Sequence, residues 1–137
     1  MLCIDTFEGH PAASVSDEEP FHKAGLFGDT SFDEVARHLA PFPGVKVLKG
    51  DVTLVAPTLE EAAYALVHID VDLQAPTRFC LDYFGSRLAR GGVIVVDDFR
   101  VSKCPGVVRA VREYLAEDRD FLAFDVQSEQ LLLVKGR

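Results

Sequence analysis

The chain has 137 residues, 48% of them hydrophobic, with 14 Lys+Arg against 22 Asp+Glu for a formal charge of −8. That length makes one domain with a sizeable core, and the acid excess argues against a nucleic-acid partner or an anionic membrane surface, since both need a basic face. No apolar run approaches the ~20 residues of a membrane span.

Met1-Leu2-Cys3-Ile4-Asp5 lacks the basic and long apolar segments of a signal peptide. The three cysteines, Cys3, Cys80 and Cys104, are scattered, odd in number and without CxxC spacing. They read as small apolar fillers in a reducing, cytoplasmic setting rather than as a disulfide framework or a zinc site.

In chain order, Leu2 to Phe7 is short, apolar and β-prone, and Gly9 to Ser31 is irregular, broken by Pro11, Pro20, Gly25 and Gly28. A loop of that length points to a functional lid or to disorder. Within it His10 and His22 read as solvated, with reach to substrate as the alternative, and Asp17-Glu18-Glu19 as a solvated turn. Thr30 or Ser31 caps a helix over 32–39, which Pro41-Phe42-Pro43-Gly44 ends. His38 suits that helix's C-terminal dipole. A strand is expected over 45–52 and a short helix over 57–64.

The second half has firmer periodicity. Ala65 to Val71 is a nearly continuous apolar run, as for a strand covered on both faces, with His68 as a core histidine. Residues 76–89 are helical, with Phe79, Tyr83 and Phe84 in a core stripe, and Arg90-Gly91-Gly92 supplies the cap and turn. Val93 to Val96 is a second buried strand and 105–116 a helix. Strands over 121–126 and 130–134, joined by Gln127-Ser128-Glu129, close the chain. Strands alternating with helices predict an α/β layered domain with a mostly parallel sheet.

Two phrases carry chemistry, His68-Ile69-Asp70-Val71-Asp72 and Val95-Val96-Asp97-Asp98. Each places carboxylates where an apolar strand emerges, and one right-handed crossover separates them, so the strands are parallel neighbours. Their C-terminal ends, about 4.8 Å apart, then share the crevice in which open α/β sheets bind ligands. Four carboxylates there repel one another unless a hard divalent cation joins them. Asp70, Asp97 and Asp98 read as metal ligands and Asp72 as a base. Helix capping by Asp72 or Asp98 is the competing assignment. Arg100 and Lys103 read as surface charge, with an anionic group such as a nucleotide sugar as the alternative partner.

Asp5-Thr6-Phe7-Glu8-Gly9, Gly28-Asp29-Thr30-Ser31, Lys49-Gly50-Asp51, the two acidic phrases and Cys104-Pro105-Gly106 together resemble the macrocin O-methyltransferase family in order and spacing. The resemblance implies a Rossmann-like class I fold with an antiparallel C-terminal strand, and an S-adenosylmethionine- and Mg²⁺-dependent methylation of a sugar or natural-product hydroxyl. It also implies a small-molecule partner and a homodimer. By the same resemblance Asp70, Asp97 and Asp98 hold the metal, Asp72 is the general base, Asp5 meets the cofactor ribose and Asp51 lies near the adenine.

Gln74 stands where the family carries an aromatic residue, and no GxGxxG occurs among the glycines. Motif alignment starts this chain at the family's second strand, leaving the usual first, central strand without a counterpart. Three outcomes follow: the two halves of the sheet pair directly, another chain fills the gap, or the chain is a fragment. The alternatives to an active enzyme are a non-catalytic methyltransferase module and, because Asp70-Val71-Asp72 mimics a DxD motif, a haloacid-dehalogenase-like phosphatase.

Overall fold

The computed structural model describes residues 1–117, 120–126 and 129–136, and the chain folds as two compact units, Met1–Leu59 and Glu60–Arg137. In the first, β1 (Leu2–Asp5) pairs in parallel with β2 (Lys46–Lys49), Ile4 opposite Leu48 and Asp5 opposite Lys49. Between them lies α1 (Phe32–Leu39), which Ser31 caps by accepting the Glu34 N–H.

The strand expected over 45–52 is shorter, and no helix spans 57–64. Asp51 accepts both the N–H and the hydroxyl of Thr53 at 2.8 Å, so helix starts at once as α2 (Val52–Val55). Pro57 falls inside the following single 3₁₀ turn, Ala56–Thr58.

The irregular segment after β1 is a built loop. The His10 N–H reaches the Leu26 carbonyl and the Gly25 N–H the His10 carbonyl, both at 3.0 Å. At Gly9 φ is +74° and a Cβ would fall on the Leu26 carbonyl oxygen, so only glycine fits. Glu19 is not in a solvated turn: it is 1% exposed and accepts the Ser16 hydroxyl at 3.2 Å. A buried carboxylate needs such partners.

The second unit is a four-stranded sheet in the order β3 (Tyr64–Ile69), β4 (Leu88–Val96), β6 (Leu131–Lys135), β5 (Phe121–Asp125). α3 (Gln74–Arg87) is the crossover that makes β3 and β4 parallel, and β6 runs antiparallel to both β4 and β5. Of the turn expected to join β5 and β6, Gln127 and Ser128 lie outside the described residues.

Arg90-Gly91-Gly92 does not cap the helix. It is taken up within β4, where the register jumps from Tyr64 opposite Leu88 to Leu66 opposite Val93. The helix C-terminus is instead closed by Lys135, whose Nζ donates to the carbonyls of Gly85 and Leu88 at 2.9 Å.

β3 is not covered on both faces. It forms the sheet edge, only Ile69 is buried, and Leu66 and His68 are exposed. The core lies instead around Ile94, Val96, Leu131 and Leu133 of the inner strands, with Leu81 and Phe84 of α3 and Val107, Val111 and Tyr114 of α4 (Pro105–Ala116). Cys80 and Cys104 are buried, and among the described residues neither is in a disulfide.

The closeness of α3 to α4 depends on Gly85, where a Cβ would fall on the hydroxyl of Tyr114, itself 1% exposed. Gly85→Ala therefore overpacks this junction and should lower stability by about 1–3 kcal/mol, read as a drop in melting temperature. Adding Tyr114→Phe removes the clashing oxygen and should restore part of the loss.

Candidate active site

The site grows from the strand register. His68 stands opposite Val95 and Ile69 opposite Val96, and the Asp97 N–H donates to the Ile69 carbonyl at 2.8 Å, carrying the ladder one step further. The two acidic phrases thus leave the sheet side by side. Beyond that point both chains turn: Asp72 has φ of +60° and Asp98 of +58°. Left-handed conformation in a residue with a Cβ costs on the order of 1 kcal/mol or more and clusters where side chains must be aimed.

The result is a group of donors. One atom each from the carboxylates of Asp72 and Asp98 and the thiol of Cys104 lie within 4.8 Å of one another. Cys104 precedes the first residue of α4 and is 5% exposed, whereas both aspartates are half-buried. The expected ligands divide. Asp98 joins Asp72 in the group, Asp97 turns toward His68 with Oδ2 3.7 Å from Nε2, and Asp70 is exposed at the end of β3. The Asp97 Oδ1 also accepts the Asp98 N–H at 3.1 Å. His68 is thus a strand-end partner of a carboxylate rather than a core histidine. Cys104 was legible only as a filler; its place before Pro105, opening a helix beside the aspartate pair, is the signal that marks it.

The two carboxylates are of the ligand type a hard divalent cation takes, and they lie within 4.8 Å of each other. The thiol is too soft for such an ion and suits a softer metal.

In the first unit Asp5 ends β1 and Asp51 comes two residues after the C-terminal end of the parallel strand β2. The Asp5 Oδ1 accepts the Phe7 N–H at 2.6 Å, and its Oδ2 has no hydrogen bond among the described residues. That exposed oxygen suits a diol such as ribose. Asp51 spends Oδ1 on Thr53 as the cap of α2. Glu8 is held below the usual carboxylate range by its hydrogen bond to Lys49, 2.7 Å away, and by the lysine charge.

Comparison with known proteins now decides the family. Residues 1–99 match the family model described as a methyltransferase domain. The chain belongs to that methyltransferase family. Among solved structures it is similar to the O-methyltransferase NovP, with a TM-score of 0.84 at 24% identity over 99% of this chain and 60% of that one. CalS11, a calicheamicin methyltransferase, gives 0.75 at 25% identity over 99% and 60%. Its apo form, described as a TDP-rhamnose 3′-O-methyltransferase, gives 0.63 at 22% over 99% and 58%. MycE in complex with Mg and SAH gives 0.50 at 15% over 68% and 33%.

The chain thus spans about 60% of the length of NovP and CalS11. No curated protein matches it. These likenesses establish the Rossmann-like class I α/β fold, and family membership replaces the phosphatase reading of Asp70-Val71-Asp72. Among the described residues no helix is long and apolar enough to cross a membrane.

One titration is predicted for this methyltransferase chain. In the loop after Asp5, His10 Nε2 and His22 Nδ1 share a hydrogen bond of 3.0 Å, and neither histidine is solvated as expected from sequence. Burial first, then the charge of His22, pushes the His10 pKa down against the opposing pull of Glu19. Its folded pKa lies below the unfolded value of about 6.5, so the unfolded chain takes up the proton first as pH falls. The stabilisation is complete above about pH 6.5 and is lost in the window beneath it. The melting temperature should fall between pH 7.5 and 5, and His10→Gln should flatten that dependence.

Proposed function

We propose that this chain is the catalytic part of a macrocin-type O-methyltransferase, one methyltransferase domain that methylates a sugar hydroxyl on a natural product or its precursor. The observation that carries the reading is the pair Asp72 and Asp98, both left-handed, with their oxygens gathered at the ends of two parallel neighbouring strands. The names of NovP and of CalS11 support methyl transfer to oxygen, and the MycE complex supports Mg and SAH as the ligands of this fold.

Asp98, with Asp70 and Asp97, would hold the cation, and Asp5 would accept hydrogen bonds from the ribose of S-adenosylmethionine, with Asp51 near its adenine. A bound divalent ion lowers the pKa of a coordinated hydroxyl, and the sulfonium cofactor carries an already activated methyl group. A sugar hydroxyl is a poor nucleophile at neutral pH. Asp72, beside Asp98, accepts the hydroxyl proton on a carboxylate oxygen while the hydroxyl oxygen bonds to the methyl carbon and the sulfur–carbon bond breaks. Asp98 orients that hydroxyl, and orientation supplies much of the remaining acceleration.

A second reading rests on the absence of GxGxxG from the sequence. By it the chain is a partner module that binds no S-adenosylmethionine by itself.

The test is SAH release from S-adenosylmethionine with TDP-rhamnose as acceptor and Mg²⁺ present, beside calorimetric titration with SAH. Release that stops on chelation, and that falls by about 10²–10⁴ in Asp72→Asn with SAH affinity unchanged, supports the enzyme. No SAH binding by the folded chain overturns it in favour of the module.

A further inference from the structure

A cavity of about 380 Å³ opens beside the acidic strand end, walled by the turn after Asp98 and by one face of α4. Pro105, Val108, Arg109 and Arg112 form that face at spacings of three and four residues. It is not the core face, which is carried by Val107, Ala110, Val111 and Tyr114.

Three guanidinium groups line this one cavity, those of Arg100, Arg109 and Arg112, in a chain whose net charge is −8. Arg100 is already neutralised by Asp125, with Nη2 2.5 Å from Oδ2. Arg109 donates through Nε to the Gln74 Oε1 at 2.9 Å, and the Gln74 amide in turn donates to Glu113 at 3.1 Å. Arg112 is exposed and makes no ion pair among the described residues.

Like charges one turn apart on a helix repel, and Arg109 and Arg112 stand three residues apart on α4. A multiply charged anion relieves that repulsion, and planar guanidinium forks match phosphate oxygens two at a time. Apart from Ser102, the remaining lining is apolar, with Phe99, Val101 and Val108 offering a wall to a ring.

We propose that this cavity is an anion subsite for the diphosphate of a sugar nucleotide, held by Arg112 and Arg109. This rests on the O-methyltransferase reading above, which it deepens by naming the activated form of the acceptor. Phe99 is bonded to Asp98 in the chain, so a ligand anchored here carries its sugar toward the carboxylates. The volume falls within the usual range for small-ligand sites.

The experiment is calorimetric titration of the full chain with thymidine diphosphate and with thymidine, in chelator so that no metal bridges the phosphates. Titration with SAH runs in parallel. Thymidine diphosphate should bind in a salt-sensitive manner, thymidine at least about tenfold more weakly, and Arg112→Gln should weaken the diphosphate at least about tenfold. Arg112 is exposed, so its variant should keep the wild-type melting temperature. Arg109→Gln should act in the same direction.

Equal affinity of the wild type and Arg112→Gln, or no binding of thymidine diphosphate, overturns the subsite. If SAH still binds in that case, the methyltransferase reading stands without it. Arginine-dependent diphosphate binding without SAH binding supports the subsite and overturns that reading instead.

Discussion

The register of β3 against β4 governs every feature of the site, because side chains in a strand alternate faces and a slip of one residue would exchange them all. With Ile69 opposite Val96, and the Asp97 N–H on the Ile69 carbonyl, the two acidic turns leave the sheet at one level. The inner strand supplies the anchor. Ile94 and Val96 are fully buried and β6 pairs with β4 on its other side, so β4 cannot move without unpacking the core. β3, an edge strand with one buried residue, takes its position from β4. The large irregularity between Tyr64 and Leu66 absorbs the glycine turn and leaves the C-terminal half of the pairing regular, which is the half that bears the aspartates.

Charge is distributed around that end with a clear division. Carboxylates of Asp72 and Asp98 are drawn together through left-handed backbone, while the adjoining cavity is lined by arginines. Repulsion within each set is costly when alone and is relieved by a ligand of opposite sign. The two sets would therefore select ligands of opposite sign. The ion pair with Asp125 already offsets the charge of Arg100, one of the three arginines that line the cavity.

Much of this was legible in the residues. The α/β alternation, α4 over 105–116, the Ser31 cap and the parallel adjacency of β3 and β4 follow from period, capping chemistry and the handedness of crossovers. Burial was less legible. The run from Ala65 to Val71 reads as doubly covered because its residues are apolar, yet strand order, which no local pattern encodes, puts β3 at the edge. The helix expected over 57–64 was displaced by a side chain, since Asp51 caps a turn ahead of Pro57. Four clustered aspartates were legible as a set. Which of them converge depends on two left-handed residues, and for aspartate that conformation leaves no mark in composition.

The segment after β1 connects local order to cofactor chemistry. Sequence offers lid or disorder for so long a loop, but a glycine without room for a Cβ, backbone bonds from His10 to Leu26 and from Gly25 to His10, and a buried Glu19 describe a loop with its own interior. That interior begins two residues after Asp5, whose Oδ1 is tied to the Phe7 N–H while the Thr6 hydroxyl is tied to the Gly9 carbonyl. The strand end is therefore fixed from both directions, by pairing with β2 behind it and by the loop ahead of it. Under the proposed function, a carboxylate so held would lose little further freedom on meeting a ribose diol, which is the advantage of a pre-formed site over one that must be ordered on binding.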